Sequence, residues 1–233
     1  MYAVFDIGGS GVKTAIMSGE GKILSNGRFD IPETYDEFLS NLVNYINENK
    51  KNYELKGVAI SAPGAVDFKT GNIGSISAIK YIHDHNIPND INQKVSLPVS
   101  IENDANCAAL GEVYFGKNKE KDMLFVVCGT GIGGAIVKDG KIHHGKNNLG
   151  GEFGFMIMDE LDGRYRILSD VSSIIRSVRK AEKLTGEKID GKKLFDLANE
   201  NKEPYTSILD EMIRWLAVGI MNLHYIYDPD IIV

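Results

Sequence analysis

One pattern, met twice, constrains this 233-residue chain more than any other: a β-rich run, a glycine-rich turn and a second β-rich run. In the first copy Tyr2–Ile7 leads to glycines at 8, 9 and 11 and then to Val12–Met17; a turn at Ser18-Gly19-Glu20-Gly21 adds Lys22–Phe29 as a third strand. In the second copy Met123–Cys128 leads to the loop GTGIGG (129–134) and the strand Ala135–Lys138, with an Asp139-Gly140 hairpin turn into Lys141–His143. Helical patterns follow each copy. The chain therefore predicts a duplicated α/β plan whose two glycine turns face one cleft.

Other segments fill in this plan. Thr34 and Glu37 match a capping box, and the helix behind them carries Phe38, Leu42, Val43 and Ile46 along one stripe. Leu55–Ser61 reads as a short buried strand ended by Ala62-Pro63-Gly64. From Asp67 to Pro98, Gly, Asn, His and Asp interleave, which predicts mostly loop. Val95–Ile101 reads as a strand that Pro98 assigns to a sheet edge, and Asn103-Asp104 opens a helix over 104–115. The small and charged run Gly116–Asp122 divides the chain into lobes 1–116 and 117–233. Helices are expected at about 170–184, 190–200 and 204–226, and an apolar strand begins at Asp230, so the fold is expected to continue past Val233.

Charge excludes one class of function. Lys+Arg total 26 against 32 Asp+Glu, a net charge of −6, whereas a dedicated nucleic-acid binder needs a basic surface. The start MYAVFDIGG carries no secretory pattern, and no run reaches the ~18 apolar residues of a membrane helix, so a cytoplasmic protein with no membrane partner is expected. Cys107 and Cys128 form no CxxC pair and read as buried free thiols.

The turns carry the chemistry. GTGIGG satisfies G-x-G-x-x-G, but a strand follows it where a dinucleotide site needs a helix; no Gly-Lys pair is followed by Ser or Thr, so a Walker loop is absent. A glycine-rich hairpin can still cradle phosphate oxygens on its N–H groups, here Gly129, Thr130 and Gly131, with the Thr130 hydroxyl as a further donor. In the first turn Asp6 ends a strand, where an unpaired carboxylate is costly. With Gly8, Gly9 and Ser10 just beyond, it suits Mg²⁺ held through water beside phosphates, and Lys13 suits a phosphate oxygen. The competing readings are an ordinary tight hairpin and a turn-capping acid.

Ile101-Glu102-Asn103-Asp104-Ala105-Asn106 packs polar residues into a strand-to-helix junction. One carboxylate there, Asp104, can take a proton from a substrate hydroxyl during phosphoryl transfer, and Asn103 can hold a neighbouring hydroxyl; a helix N-cap is the competing reading for Asp104. Glu152, set among glycines and aromatics, suits vicinal sugar hydroxyls or a plain surface turn. His143, His144 and Lys146 read as a solvated loop, and His83 with His85 as weak zinc candidates.

In this order the residues resemble the ROK family of repressors and sugar kinases, which has the actin-like ATPase (ribonuclease H-like) fold. DIGGSGVKTA looks like its first phosphate motif, SAPGAVD (with Gly64) its sugar-side loop, ENDAN its catalytic motif, GTGIGG its second phosphate motif and LGGEFGFM the start of its signature. The resemblance implies an ATP- and Mg²⁺-dependent kinase of a hexose or hexose-containing glycoside, acting at O6. Asp104 would be its general base, and Asn103, Gly64 and Glu152 would bind sugar. It also implies a homodimer. Where the family signature continues with histidine and a zinc-binding cysteine cluster, this chain has Phe155 and no cysteine through 156–170, so structural zinc is not expected. Alternatives are a sugar-responsive regulator, for which no helix-turn-helix precedes Asp6, and a non-catalytic sugar-binding protein.

Overall fold

The computed structural model describes residues 1–74, 77, 79–116 and 122–233. Contacts divide the chain into two compact units, Met1–Gly111 with Lys146–Asn148, and Glu112–Gly145 with Leu149–Val233. The boundary expected at Gly116–Asp122 falls largely on residues 117–121, which lie outside the described residues.

In the first unit, strands β1 (Tyr2–Gly8), β2 (Gly11–Met17) and β3 (Ile23–Phe29) form the expected antiparallel meander. Helix α1 (Tyr35–Lys50) follows, opened by the Thr34 hydroxyl, which accepts the Glu37 N–H at 3.3 Å. Next come β4 (Gly57–Ala62), the short pair β5 (Val66–Asp67) and β6 (Asn72–Ile73), α2 (Ile87–Val95), β7 (Val99–Asn103) and α3 (Asp104–Phe115). The sheet order is β3-β2-β1-β4-β7, with β4 and β7 parallel to β1. Alternation along β1 sends Ala3, Phe5 and Ile7 into a core shared with Phe38, Leu42 and Ile46 of α1. Phe38 is fully buried, and cutting it to alanine would cost about 3–5 kcal/mol.

Two expectations fail here. The stretch from 67 to 98 is not mostly loop: α2 lies within it, capped by the Asn86 side chain on the Asn89 N–H and burying Ile87, Ile91 and Val95 at a spacing of four. The strand expected from Val95 begins only at Val99, because Val95 still belongs to α2 and Ser96 ends that helix in the left-handed region (φ 52°). Its edge position is as expected.

The second unit repeats the plan. Strands β8 (Met123–Cys128), β9 (Ile132–Lys138) and β10 (Lys141–Ile142) make a second meander. A hairpin of β11 (Ile157–Leu161) and β12 (Arg164–Ile167) follows, then α4 (Leu168–Ser172), α5 (Ile174–Thr185), α6 (Gly191–Asn199), α7 (Tyr205–Tyr227) and β13 (Ile231–Ile232). The order β10-β9-β8-β13, with β13 parallel to β8, matches β3-β2-β1-β4 strand for strand. Helices α5, α6 and α7 close a separate core around Val178, Leu194, Ile208 and Met212.

Three details differ from expectation. Strand β9 starts at Ile132, so Gly133 and Gly134 pair with Val127 and Val126 within the ladder, and only Gly129–Gly131 turn. The single helix expected over 170–184 is broken at Ser173, whose extended backbone frees the Ile174 N–H to reach the Gly129 carbonyl at 3.1 Å. The β11–β12 hairpin, built on Asp162-Gly163 with φ of 52° and 71°, stands where no strand pair is expected.

Candidate active site

The carboxyl end of the first sheet gathers most of the expected residues. Register places Lys13 opposite Asp6, Asp6 beside Ser61 and Ser61 beside Glu102, all on the face turned away from Phe5, Ile60 and Ile101. Lys13 Nζ lies 3.0 Å from Asp6 Oδ2, and Ser61 Oγ donates to Asp6 Oδ1 at 2.9 Å. The ion pair is well exposed (73% for Lys13, 43% for Asp6), so it adds little stability and leaves Lys13 able to turn to an anion.

Just beyond, the Gly8–Gly11 turn is tied down at Ser10, whose carbonyl and hydroxyl both accept from Arg28 Nη2, at 3.0 and 3.3 Å. That arrangement leaves the Ser10 O–H proton available to a ligand and sets a second cation beside the turn. A Cβ on Gly8 would meet only the Gly11 carbonyl, at 3.5 Å, so protein packing does not require glycine there.

A metal ion fits this corner only in part. Among the described residues no group of three His, Cys, Asp or Glu side chains stands together, so no all-protein cage exists. Asp6 keeps lone pairs beyond those taken by Lys13 and Ser61. A single carboxylate holding Mg²⁺ through water, with phosphates supplying further oxygens, fits the donor set.

The β7–α3 junction aims Asp104. Asn103, not Asp104, is the helix cap: its Oδ1 accepts the Asn106 N–H at 3.1 Å, while its Nδ2 donates to the Gly64 carbonyl at 3.1 Å. Gly64 has φ of 97°, a conformation that favours glycine, so the sugar-side loop and the junction are held together by a bond that needs this loop shape. Glu102 Oε1 accepts from the Asn103 N–H (2.8 Å) and from Asn106 Nδ2 (2.9 Å), bracing the same elbow. Released from capping, Asp104 accepts the Ala105 N–H at 2.8 Å and keeps an exposed face. Partial desolvation raises its pKa above the ordinary aspartate value; the Asp6 carboxylate adds to this, and the Ala105 N–H and Asn103 oppose it without prevailing. The competing reading of Asp104 as a cap thus fails on geometry.

In the second unit the expected residues cluster on the β8–β9 hairpin. The Gly129 N–H donates to the Gly131 carbonyl at 2.8 Å, and Ser169 Oγ accepts the Ile132 N–H at 2.9 Å, which fixes the turn from beneath. Nothing lies within 4 Å of a Cβ built on Gly129, and Thr130 is exposed. Gly134, by contrast, is covered by the Phe153 ring at 2.3 Å from its notional Cβ, and Gly151 (φ 94°) rests on the Gly134 carbonyl. These two glycines seat the 152–155 segment on β9 and so place half-buried Glu152.

Both cysteines are free, as expected, but partly buried rather than buried. Burial pushes the Cys107 thiol up to about 12, with the Glu102 charge adding to it, and the Cys128 thiol donates to the Ser172 carbonyl at 3.3 Å. His83 places its ring nitrogens 3.1 Å from the Ile73 carbonyl and 3.0 Å from Ser77 Oγ, and His85 stacks on Tyr35 with centroids 3.5 Å apart, so both serve packing rather than a metal.

A model described as "ROK family" matches residues 2–233. The chain belongs to the ROK family. A β-glucoside kinase of Listeria monocytogenes is 33% identical over 97% of this chain and 79% of that protein. Among solved structures, a ROK family protein from Streptococcus pneumoniae in complex with sucrose superposes with a TM-score of 0.89 at 34% identity, covering 99% of this chain and 78% of that one. A ROK glucokinase from Streptomyces griseus in complex with glucose and AMPPNP gives 0.82 at 26%, covering 99% and 81%. The actin-like ATPase fold is therefore that of this ROK protein, and its twice-used strand order is the topology of that fold. Sequence reasoning gave no role to Arg28 and gave Ser61 and Glu102 none beyond standing first in SAPGAVD and ENDAN. Arg28 faces Lys13 across the β2–β3 ladder and was within reach of hairpin register; Ser61 and Glu102 reach the site only through parallel pairing of distant strands.

Proposed function

We propose that this ROK protein catalyses ATP-dependent phosphorylation of a hexose or hexose-containing glycoside at O6. Asp104 carries the reading: a carboxylate at a strand-to-helix elbow, spared from capping, accessible, and with its proton affinity raised toward that of a working base. The sugar hydroxyl gives its proton to Asp104 as its oxygen bonds the γ-phosphorus, the bond from that phosphorus to the bridging oxygen breaks, and ADP leaves. Asn103 and Gly64, already joined, hold the neighbouring hydroxyls, with Glu152 as the further sugar ligand. The amides of Gly8, Gly9, Ser10, Thr130 and Gly131, with Lys13, stabilise the phosphate charge, and Gly129, its own N–H held by the Gly131 carbonyl, leaves open space for the phosphate beside the second turn. Mg²⁺, when bound beside Asp6 through water, supplies further charge neutralisation among the phosphate oxygens. In this reading residues 1–116 serve sugar and phosphates and residues 117–233, Glu152 apart, serve the nucleotide, in a cytoplasmic homodimer.

A coupled ADP-release assay against glucose, cellobiose, N-acetylmannosamine, mannose and allose tests it. ADP release that depends on at least one of these sugars is expected. Folded protein that binds ATP yet releases no ADP with any of them would sink the kinase reading.

A further inference from the structure

The polar row across the first sheet contains Ser61, which has no part in the chemistry above. Ser61 sits between Asp6 and Glu102 in register, on the face away from the core, and its hydroxyl has a single proton. That proton goes to Asp6 Oδ1, at 2.9 Å, while Lys13 from the opposite neighbouring strand holds Oδ2 at 3.0 Å. The carboxylate is gripped at both oxygens from both sides, so it cannot rotate about its Cβ–Cγ bond without breaking one contact. The chemical type of the second grip matters as well. A cation in place of Ser61 would add a second positive charge to that of Lys13 and repel a metal ion; a neutral hydroxyl fixes orientation and leaves the Asp6 charge in place.

We propose that Ser61 is a positioning residue, which sets the rotamer of the Asp6 carboxylate and thereby the geometry in which a divalent cation and the nucleotide phosphates are received. The proposal rests on the reading of Asp6 as the metal-facing carboxylate. It requires of position 61 a small, neutral donor.

Binding of Mn²⁺ in the presence of ADP, followed on the full chain by electron paramagnetic resonance, reads this without turnover. Ser61→Ala should weaken Mn²⁺ binding and lower kcat, each about tenfold, as expected when a hydrogen bond to a charged group is lost, and should leave the sugar KM within about twofold. Ser61→Thr, which keeps the hydroxyl on a β-compatible side chain, should restore both to within about threefold of wild type. Should the alanine variant lose its fold, Ser61→Val takes its place, since it matches threonine in shape and lacks the donor. An alanine (or valine) variant that binds Mn²⁺ and turns over like wild type overturns the proposal, as does a threonine variant as impaired as alanine. Wild-type protein that binds neither Mn²⁺ nor ADP fails at the reading of Asp6 itself, before position 61 is asked anything.

Discussion

The two glycine turns occupy the same place in two sheets of the same strand order, yet their surroundings differ in kind. The β1–β2 turn is ringed by charge, with Asp6 and Lys13 paired below it and Arg28 holding Ser10. The β8–β9 turn is held by neutral groups, Ser169 Oγ beneath Ile132 and the Ile174 N–H on the Gly129 carbonyl. One topology therefore supports two chemistries. The first turn can organise a cation and phosphate charge; the second offers backbone amides and one hydroxyl. Their common feature is a glycine, Gly8 or Gly129, that protein packing does not explain.

The sharpest break in this comparison comes from the carboxylate that belongs to the charged side alone. Asp104→Asn should lower kcat by about 10²–10⁴, the range of a lost general base, with the sugar KM held within about threefold; steady-state kinetics would read both. A fall of less than tenfold would remove Asp104 from the base role.

A pair of glycine substitutions sharpens the neutral side. Gly129→Val enters open space and should leave thermal unfolding unchanged while raising the KM for ATP about tenfold, equivalent to one lost contact of about 1.4 kcal/mol. Gly134→Ala drives a methyl into the Phe153 ring and should cost about 1–3 kcal/mol of stability by denaturant titration. If Gly129→Val unfolds the protein and leaves the KM for ATP untouched in what remains folded, its glycine serves the turn and not the nucleotide.

The smallest effect concerns pH. A raised carboxyl pKa means that folded Asp104 holds its proton more tightly than the unfolded chain does. Its contribution to stability therefore falls as pH rises from the ordinary aspartate value of about 3.9 through the raised folded value. Asp104→Asn, uncharged throughout and still able to accept the Ala105 N–H, escapes this loss. Its melting temperature should exceed that of wild type slightly at pH 7, and the gap should close as pH falls below about 3.9. A gap of the opposite sign, or one independent of pH, would contradict the raised pKa.

Legibility followed the range of the interactions. The Asp139-Gly140 hairpin is legible from its turn residues, and Asp162-Gly163 carries the same dipeptide and similar positive φ values, but the strands it joins lack the clear alternation that marks the first pair. Helix α2 was hidden by its polar composition, although Ile87, Ile91 and Val95 behind Asn86-Ile87-Pro88 carry the full helical spacing. The break at Ser173 had no such local mark. It depends on the Gly129 carbonyl, more than forty positions away along the chain. At the site, Asp6, Lys13 and the Asn103-Asp104 elbow were legible from strand ends and junctions, but which of the last two would cap the helix was not, because both are good caps and the choice is made by the Gly64 carbonyl.

The sequence by itself determined the repeated strand–turn–strand plan, the family, and which polar side chains stand at the strand ends and glycine turns, since all of these rest on short-range periodicity and on residue chemistry. Tertiary structure alone decided which carboxylate was left uncapped, which side chains grip Asp6, and which glycines serve packing rather than ligand. Those outcomes depend on parallel strands pairing across dozens of residues, and parallel register leaves no signature in any single stretch of chain.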